Sequence, residues 1–350
     1  MKHREGKLSY RKAGVDISAS DAAKQAMAKI VGKGDNRVLG GFWAYAAMFD
    51  GRFPGYRRPV LILKSEEPGT KQELAFRYGR VNSICADLVN HLINDIIVVG
   101  AKPVAMLDTI FCGRMDSKMV PRIVSSIAKA CRRHDCTLVG GETSVQPGAV
   151  GIGRYMLSAT VLGVVEKEDV IDGSTITSGD SVIALASNGI HTNGYSLIRA
   201  LLKRKPALAG GKVAGASFLK AILRPHMSYY SALKGLGVRQ GIHGLAHVTG
   251  GGIAGNLCRI LVGKVDAHID LGRLKVPAVF GVIMRAGNVG LADMMRTFNM
   301  GAGMLIVVQR SKTSALLTQF RKRGYTAYVV GGISRGNGSV KMKGDPQVAR

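Results

Sequence analysis

Short runs of aliphatic and β-branched residues alternate along this sequence with stretches whose apolar residues recur at helical spacing. Few architectures accommodate that alternation. "RPVLIL" (58–63) predicts a strand, and one long helical stretch follows over about 72–99. "VAMLDTIF" predicts a strand, "KMVPRIVSSIAKACRRH" a helix, and "CTLVG" and "RYMLSATVLGVVEK" two more strands. Asp, Gly, Ser and Thr then cluster in "DVIDGSTITSGD", which marks a boundary. Beyond it come the strand "SVIALAS", a polar loop and the helix "GYSLIRALLK". A strand–glycine–helix unit follows in "GLAHVTGGGIAGNLCRIL", and the reverse order in "MRTFNMGAGMLIVV". The pattern implies an α/β (α+β) protein without internal repeats. With 350 residues, 46% of them hydrophobic, and 46 glycines, the chain has material for two medium domains, each with its own core.

Within the long helical stretch, "CADLVNHLINDIIVVGAKP" carries two stripes. Leu88, Leu92, Ile96 and Val99 form a core stripe. Asp87, Asn90, His91, Asn94 and Asp95 recur at three- and four-residue steps and share another face. Acidic and amide groups on so apolar a helix are costly unless they meet a cation or a polar ligand, so this face is expected to bind one.

Several glycine-rich segments are candidate anion sites. In "VLILKSEEPGTKQELAFRYG", Gly69-Thr70-Lys71 looks like the end of a phosphate-holding loop, although Glu66, Glu67 and Pro68 stand where glycines are usual. "LVGGETSVQPG" is expected to place Glu142 and Thr143 just beyond a strand end and a Gly140-Gly141 turn. "SNGIHTNGYSLIR" does the same with His191 and Asn193 ahead of a helix. "HVTGGGIAGN" offers Gly250, Gly251 and Gly252, whose amides can approach phosphate closely. Walker-type and HExxH patterns are absent.

The bulk chemistry narrows the setting. Five scattered cysteines lack metal-ligand spacing and fit a reducing compartment. No apolar run is long enough to span a bilayer, and no apolar segment backs the basic start "MKHREGKLSY", so neither a membrane span nor a secretory signal is expected. The net charge of +26 attracts polyanions, but the basic residues are dispersed, which suits a non-specific basic surface better than a dedicated nucleic-acid face.

Taken in order, these motifs resemble aminoimidazole ribonucleotide synthetase, the phosphoribosylformylglycinamidine cyclo-ligase family of purine biosynthesis. "SYRKAGVDI" is similar to that family's opening motif, and "NDIIVVGAKP" to the superfamily signature Asp-x4-Gly-Ala-x-Pro starting at Asp95. "LVGGET", "HTNGYSL", "HVTGGG" and "RTFNMGAGM" follow in the family's order, so the resemblance spans nearly the whole chain. It implies a two-domain fold, each domain a mixed sheet flanked by helices. Residues 1–170 would form the ATP-binding and dimerisation domain, and 171–350 the domain that closes the cleft. It further implies a cytoplasmic homodimer that uses ATP and Mg²⁺ to convert formylglycinamidine ribonucleotide to aminoimidazole ribonucleotide. On that resemblance the metal ligands come from Asp95, Glu66, Glu67, Asp87 and Glu142. Gly69, Thr70, Lys71, Asn94, Gly141, Thr143, Asn193 and Gly250–Gly252 surround ATP and its phosphates. Asp95, Lys71 and His191 are the catalytic candidates, with His191 handling a proton or polarising the formyl oxygen.

The chain departs from the family most at one loop. Where the family usually has Gly-Thr-Asp-Gly-Val-Gly-Thr-Lys, this sequence has Lys64-Ser65-Glu66-Glu67-Pro68-Gly69-Thr70-Lys71. Carboxylate, turn, hydroxyl and lysine all persist, because Pro68-Gly69 can still turn tightly. A rebuilt, working loop is therefore expected. Two other functions fit the same residues: an impaired relative that binds RNA through its basic surface, or a superfamily enzyme acting on another small substrate.

Overall fold

A computed structural model describes residues 8–32 and 35–349; the basic start of the chain through Lys7 lies outside them. The first half builds a four-stranded mixed sheet in the order Pro59–Glu66, Tyr155–Glu166, Lys102–Cys112, Thr137–Val145. The first two pairings are antiparallel and the last is parallel. One face packs on the helices Val81–Ile97 and Met119–Arg132, each with a continuous buried stripe. Gly163 is a glycine for this reason: a Cβ there would sit 2.9 Å from Ile96 Cδ1. The opposite face is only partly covered. A small cluster of Val104, Ala105 and Val164 lies under Phe49, Phe53 and Tyr56. Beyond it Leu61, Leu63, Leu107 and Met156 are 53%, 71%, 42% and 48% exposed.

The second half forms a six-stranded sheet in the order Ile242–His247, Ala302–Val308, Ser181–Ala186, Ala327–Arg335, Val265–Asp270, Val340–Lys343. All its pairings are antiparallel except the last. Every residue of Ala302–Val308 is buried, as a strand covered on both faces requires. Both sheets are mixed and flanked by helices, as the family resemblance implied.

Two local expectations need correction. The stretch 72–99 is two helices, Lys71–Arg77 and Val81–Ile97, because Gly79 takes a positive φ of 66° and turns the chain between them. The strand expected to end near Gly140 runs over Thr137–Val145, so Glu142 and Thr143 lie within it. Gly140-Gly141 is not a turn. A Cβ on Gly141 would meet Asp108 Oδ1 at 1.9 Å, so that glycine admits the neighbouring strand's buried carboxyl.

Candidate active site at the domain seam

The polar stripe on Val81–Ile97 meets a polar ligand, and the ligand is the chain itself. Segment 224–229 of the second half lies along the stripe and offers its backbone. The Asn90 amide donates to the His226 carbonyl (2.6 Å), and Asn94 donates to the Met227 carbonyl (2.8 Å). In return Asn94 Oδ1 accepts from Tyr229 N (2.8 Å), and Asp87 Oδ1 accepts from His226 N (2.5 Å). Each contact satisfies a main-chain group that would otherwise be buried without a partner.

Lys71 closes the seam from below. Its ammonium is fully buried and donates to Asp87 Oδ1 (2.7 Å), the His191 carbonyl (2.9 Å) and the Arg224 carbonyl (2.8 Å). Those bonds use all three of its donors, so the lysine expected on phosphate is engaged inside the protein. Burial pushes both partners toward neutrality, Lys71 downward and Asp87 up to about 6, while their contact opposes it. Asp87, expected to hold a metal, is thus committed to Lys71 and His226, although its Oδ2 has no partner.

Above this pair, the loop carrying His191, Thr192 and Asn193 is clamped by Asn299 of the "RTFNMGAGM" segment. Asn299 Nδ2 donates to the carbonyls of Gly189 (2.9 Å) and Ile190 (3.2 Å). Its Oδ1 accepts from Ser187 Oγ (2.8 Å) and Gly301 N (2.9 Å). Four histidines collect here. His247 Nδ1 lies 2.7 Å from Asp95 Oδ1, and its Nε2 lies 3.0 Å from His226 Nε2. His91 Nδ1 and His226 Nδ1 share Thr192 Oγ1 at 3.1 and 3.3 Å. The His191 ring stacks on His226 with centroids 4.0 Å apart. Burial pushes His91 down to about 4 and holds His191 and His226 well below the ordinary histidine range.

Asp95 stands at the open end of this cluster. Burial works against its ionisation, but the His247 hydrogen bond and the His247, His91 and Lys64 charges bring its pKa below the usual value. Its Oδ2 is 3.5 Å from Lys64 Nζ, which also lies 3.0 Å from Glu66 Oε2. Glu66, at the end of its strand, and Asp95, on the helix, therefore converge on one cation. Glu67 is exposed beside them, and its N–H donates to Glu66 Oε1 (3.2 Å).

The remaining expected residues divide. Gly69, at φ 63°, has its Cβ position 3.2 Å from the Thr192 carbonyl, and that of Gly250 lies 3.4 Å from Asn193 Nδ2. Gly69, Thr70, Asn193, Gly250 and Gly251 thus follow one another along the seam, while Gly252 is buried against the Met295 carbonyl. Thr70 caps the Lys71–Arg77 helix without a side-chain hydrogen bond. Gly141, Thr143 and Glu142 sit apart on the edge strand, with Glu142 registered opposite Thr109 on the sheet face away from Asp108. Lys64, His226 and His247 were not singled out as site residues. "HVTGGG" drew attention to its glycines, and nothing in "RPHMSYY" marks His226.

Residues 65–165 match the model of AIR synthase related protein, N-terminal domain, and residues 177–343 match that of the C-terminal domain. The chain is 39% identical over 334 residues to the phosphoribosylformylglycinamidine cyclo-ligase of Chromobacterium violaceum, covering 95% of this chain and 96% of that protein. The chain belongs to the AIR synthase family. The cyclo-ligase of Carboxydothermus hydrogenoformans is 37% identical, covering 94% of this AIR synthase relative and 97% of its own length. Among solved structures, the hydrogenase maturation protein HypE superposes with a TM-score of 0.65 at 19% identity, covering 90% of this chain and 92% of its own. The thiamine-monophosphate kinase of Stenotrophomonas maltophilia gives 0.64 at 16%, covering 95% and 98%. Both share the fold of this AIR synthase family member. No helix among the described residues is long and apolar enough to cross a membrane.

Proposed function

We propose that this chain is an ATP-dependent phosphoribosylformylglycinamidine cyclo-ligase, closing the ring of formylglycinamidine ribonucleotide to give aminoimidazole ribonucleotide. The observation that carries the proposal is the 39% identity, across 95% of the chain, to a protein named for that reaction. The site suits it. Glu66 and Asp95 gather on a single ammonium, and Glu67 stands beside them; this hard oxygen donor set is the kind that holds Mg²⁺ on a triphosphate. When bound, Mg²⁺–ATP supplies the γ-phosphoryl group that makes the formyl oxygen a leaving group. The protein's own part is to hold and orient. Glu66, Asp95 and Glu67 form the metal-facing wall, and Gly69, Thr70, Asn193 and Gly250 present donors to phosphate, whereas the Gly251 N–H is already given to the Arg296 carbonyl. The amidine nitrogen would then attack the activated carbon, forming the ring C–N bond as the C–O bond to phosphate breaks, and the protons shed on closure would pass to the departing phosphate or to solvent.

His191 and Lys71 take different roles from those first expected. Lys71 and Asp87 fasten the seam, and Lys71 grips the His191 carbonyl. The His191 ring is enclosed, so we assign it to the seam and not to proton transfer. We read residues 1–170 and 171–350 as two domains working as a cytoplasmic homodimer, with the exposed leucines of the first sheet as the contact. A coupled ADP-release assay with formylglycinamidine ribonucleotide tests the function. Turnover that needs both ATP and this substrate, and falls at least about 100-fold in Asp95→Asn, is the expected result. A folded protein that releases no ADP with this substrate would refute it.

A further inference from the structure

The seam between the two halves has a second concavity, and cations line it. This cavity, about 620 Å³ in volume, opens between the Lys71–Arg77 helix and Gly153-Arg154 on one side and the helix Tyr195–Arg204 on the other. Arg77, Arg154, Arg199 and Lys203 line it, against one carboxylate, Glu73. Glu73 is already used, because it pairs with Arg199 across the seam. Arg77 lies over the Tyr78 ring, 5.7 Å from its centroid, and among the described residues Arg77, Arg154 and Lys203 have no ion-pair partner. The helix macrodipole favours cations at helix C-termini, which accounts for Arg77 and Lys203 where they stand. It does not account for Arg154, on a loop, or for Arg199, inside its helix. The surplus of cations over the whole chain does not account for their gathering around one hollow either. A cleft lined by one sign of charge focuses its field and concentrates ions of the opposite sign.

We propose that this cavity binds a phosphomonoester of nucleotide size. Arg77, Arg154 and Lys203 hold the phosphate, for which the guanidinium fork is well shaped. Phe76 and Leu202 in the lining, with the Tyr78 ring beside them, give its ring or apolar body a surface to pack on. The volume suits one small molecule. A nucleic-acid strand instead follows an extended basic groove with bases stacked in succession, and no such track is lined here. None of the lining residues belongs to the Glu66–Asp95 site or to its glycine wall. The two sites share helices all the same. Thr70 caps the first helix and Asn193 lies just ahead of the second, while their far ends carry Arg77 and Lys203. A ligand in the cavity therefore joins the two halves of the chain at the other ends of the helices that reach the candidate active site. This inference does not rest on the cyclo-ligase reading.

The test is calorimetric titration of the full-length protein with AMP at physiological salt, with a chelator in place of Mg²⁺ and inorganic phosphate run as a second probe. Wild type should bind AMP at least about fivefold more tightly than phosphate, the difference being the packing of the base. Arg77→Ser with Arg154→Ser should weaken AMP at least about tenfold. Arg310→Ser with Lys343→Ser removes the same charge outside the cavity and should leave binding unchanged. Asn193→Ala, which strips a donor from the candidate active site, should leave it unchanged too. Circular dichroism checks folding, and Lys203→Glu carries the test if the double arginine variant does not fold. Failure of wild type to bind AMP would overturn the proposal, as would phosphate bound as tightly as AMP. Equal loss in the Arg310–Lys343 variant would assign binding to the general basic field, and loss only in Asn193→Ala would assign it to the candidate active site; either overturns it. A single-stranded oligonucleotide that binds through Arg77 and Arg154 while AMP does not would overturn it in favour of a nucleic-acid face.

Discussion

Lys64 is the residue whose placement most changes the view of the rebuilt loop. It stands where the family resemblance has a glycine, and its ammonium occupies the point on which Glu66 and Asp95 converge. A tethered cation there competes with Mg²⁺ for the same carboxylates. Lys64→Gly should therefore lower the Mg²⁺ concentration needed for half-maximal ADP release, while Glu66→Gln with Glu67→Gln should raise it; unchanged Mg²⁺ titrations in both would disconnect the loop from metal binding. Lys71 behaves differently, because its ammonium is buried and donates to Asp87 and two main-chain carbonyls. Lys71→Ala leaves Asp87 charged or protonated in the interior and two carbonyls without a donor, so it should cost about 3–5 kcal/mol in urea unfolding. A variant of wild-type stability with weakened ATP binding would restore Lys71 to the phosphate. Both residues were visible in the sequence as part of one loop. Their separation was not, since it depends on the strand turning Lys64 toward Asp95 while the next helix carries Lys71 under the His191 loop.

At the level of elements, the polar stripe on Val81–Ile97 was legible because five polar groups at helical spacing must meet something polar. What they meet is backbone from more than 130 positions away in the chain, as in the Asn90–His226 and Asn94–Met227 contacts, and periodicity carries no information about such partners. Glycine patterns misled for a related reason. Gly79 turns the chain where the apolar periodicity reads as one continuous helix, and Gly141 admits a carboxyl where a glycine pair reads as a turn. The end of the Met119–Arg132 helix yields a further expectation. His134 follows it, donating from Nε2 to Asn90 Oδ1 (2.7 Å), with the Tyr230 ring edge-on at 5.9 Å. A helix C-terminus favours the imidazolium, but burial, aided by Arg133 and opposed by Asp135, takes the pKa down to about 4. The unfolded chain then binds a proton between about pH 6.5 and 4 that the folded chain does not, so stability is lost as pH falls through that window. From pH 7 to 5 the stability advantage of wild type over His134→Gln should shrink by about 2 kcal/mol in urea titrations. A difference independent of pH would mean that His134 protonates freely in the folded protein.

For the whole molecule, the exposed side of the first sheet and its high charge act against each other. Leu61 and Leu63 lie on an edge strand, in register with Val164 and Leu162 on the same face, and Leu107 and Met156 extend the patch. An open sheet face with an unpaired edge is a hazard for a monomer and a natural contact for a second copy. Each copy, however, brings a formal charge of +26, so association gathers like charge and is resisted most where screening is weakest. Dimerisation driven by apolar burial should therefore strengthen with salt, as the Debye length falls from about 30 Å at 0.01 M to about 8 Å at 0.15 M. A contact held by ion pairs would weaken instead. Sedimentation velocity at micromolar concentration should show a dimer at 0.15 M salt and partial dissociation at 0.01 M. Leu63→Lys should be monomeric at both, since it places another cation in the centre of the patch. A wild-type chain that stays monomeric at every salt concentration would refute the dimer, and one that dissociates on adding salt would assign the contact to charged residues and not to this sheet face.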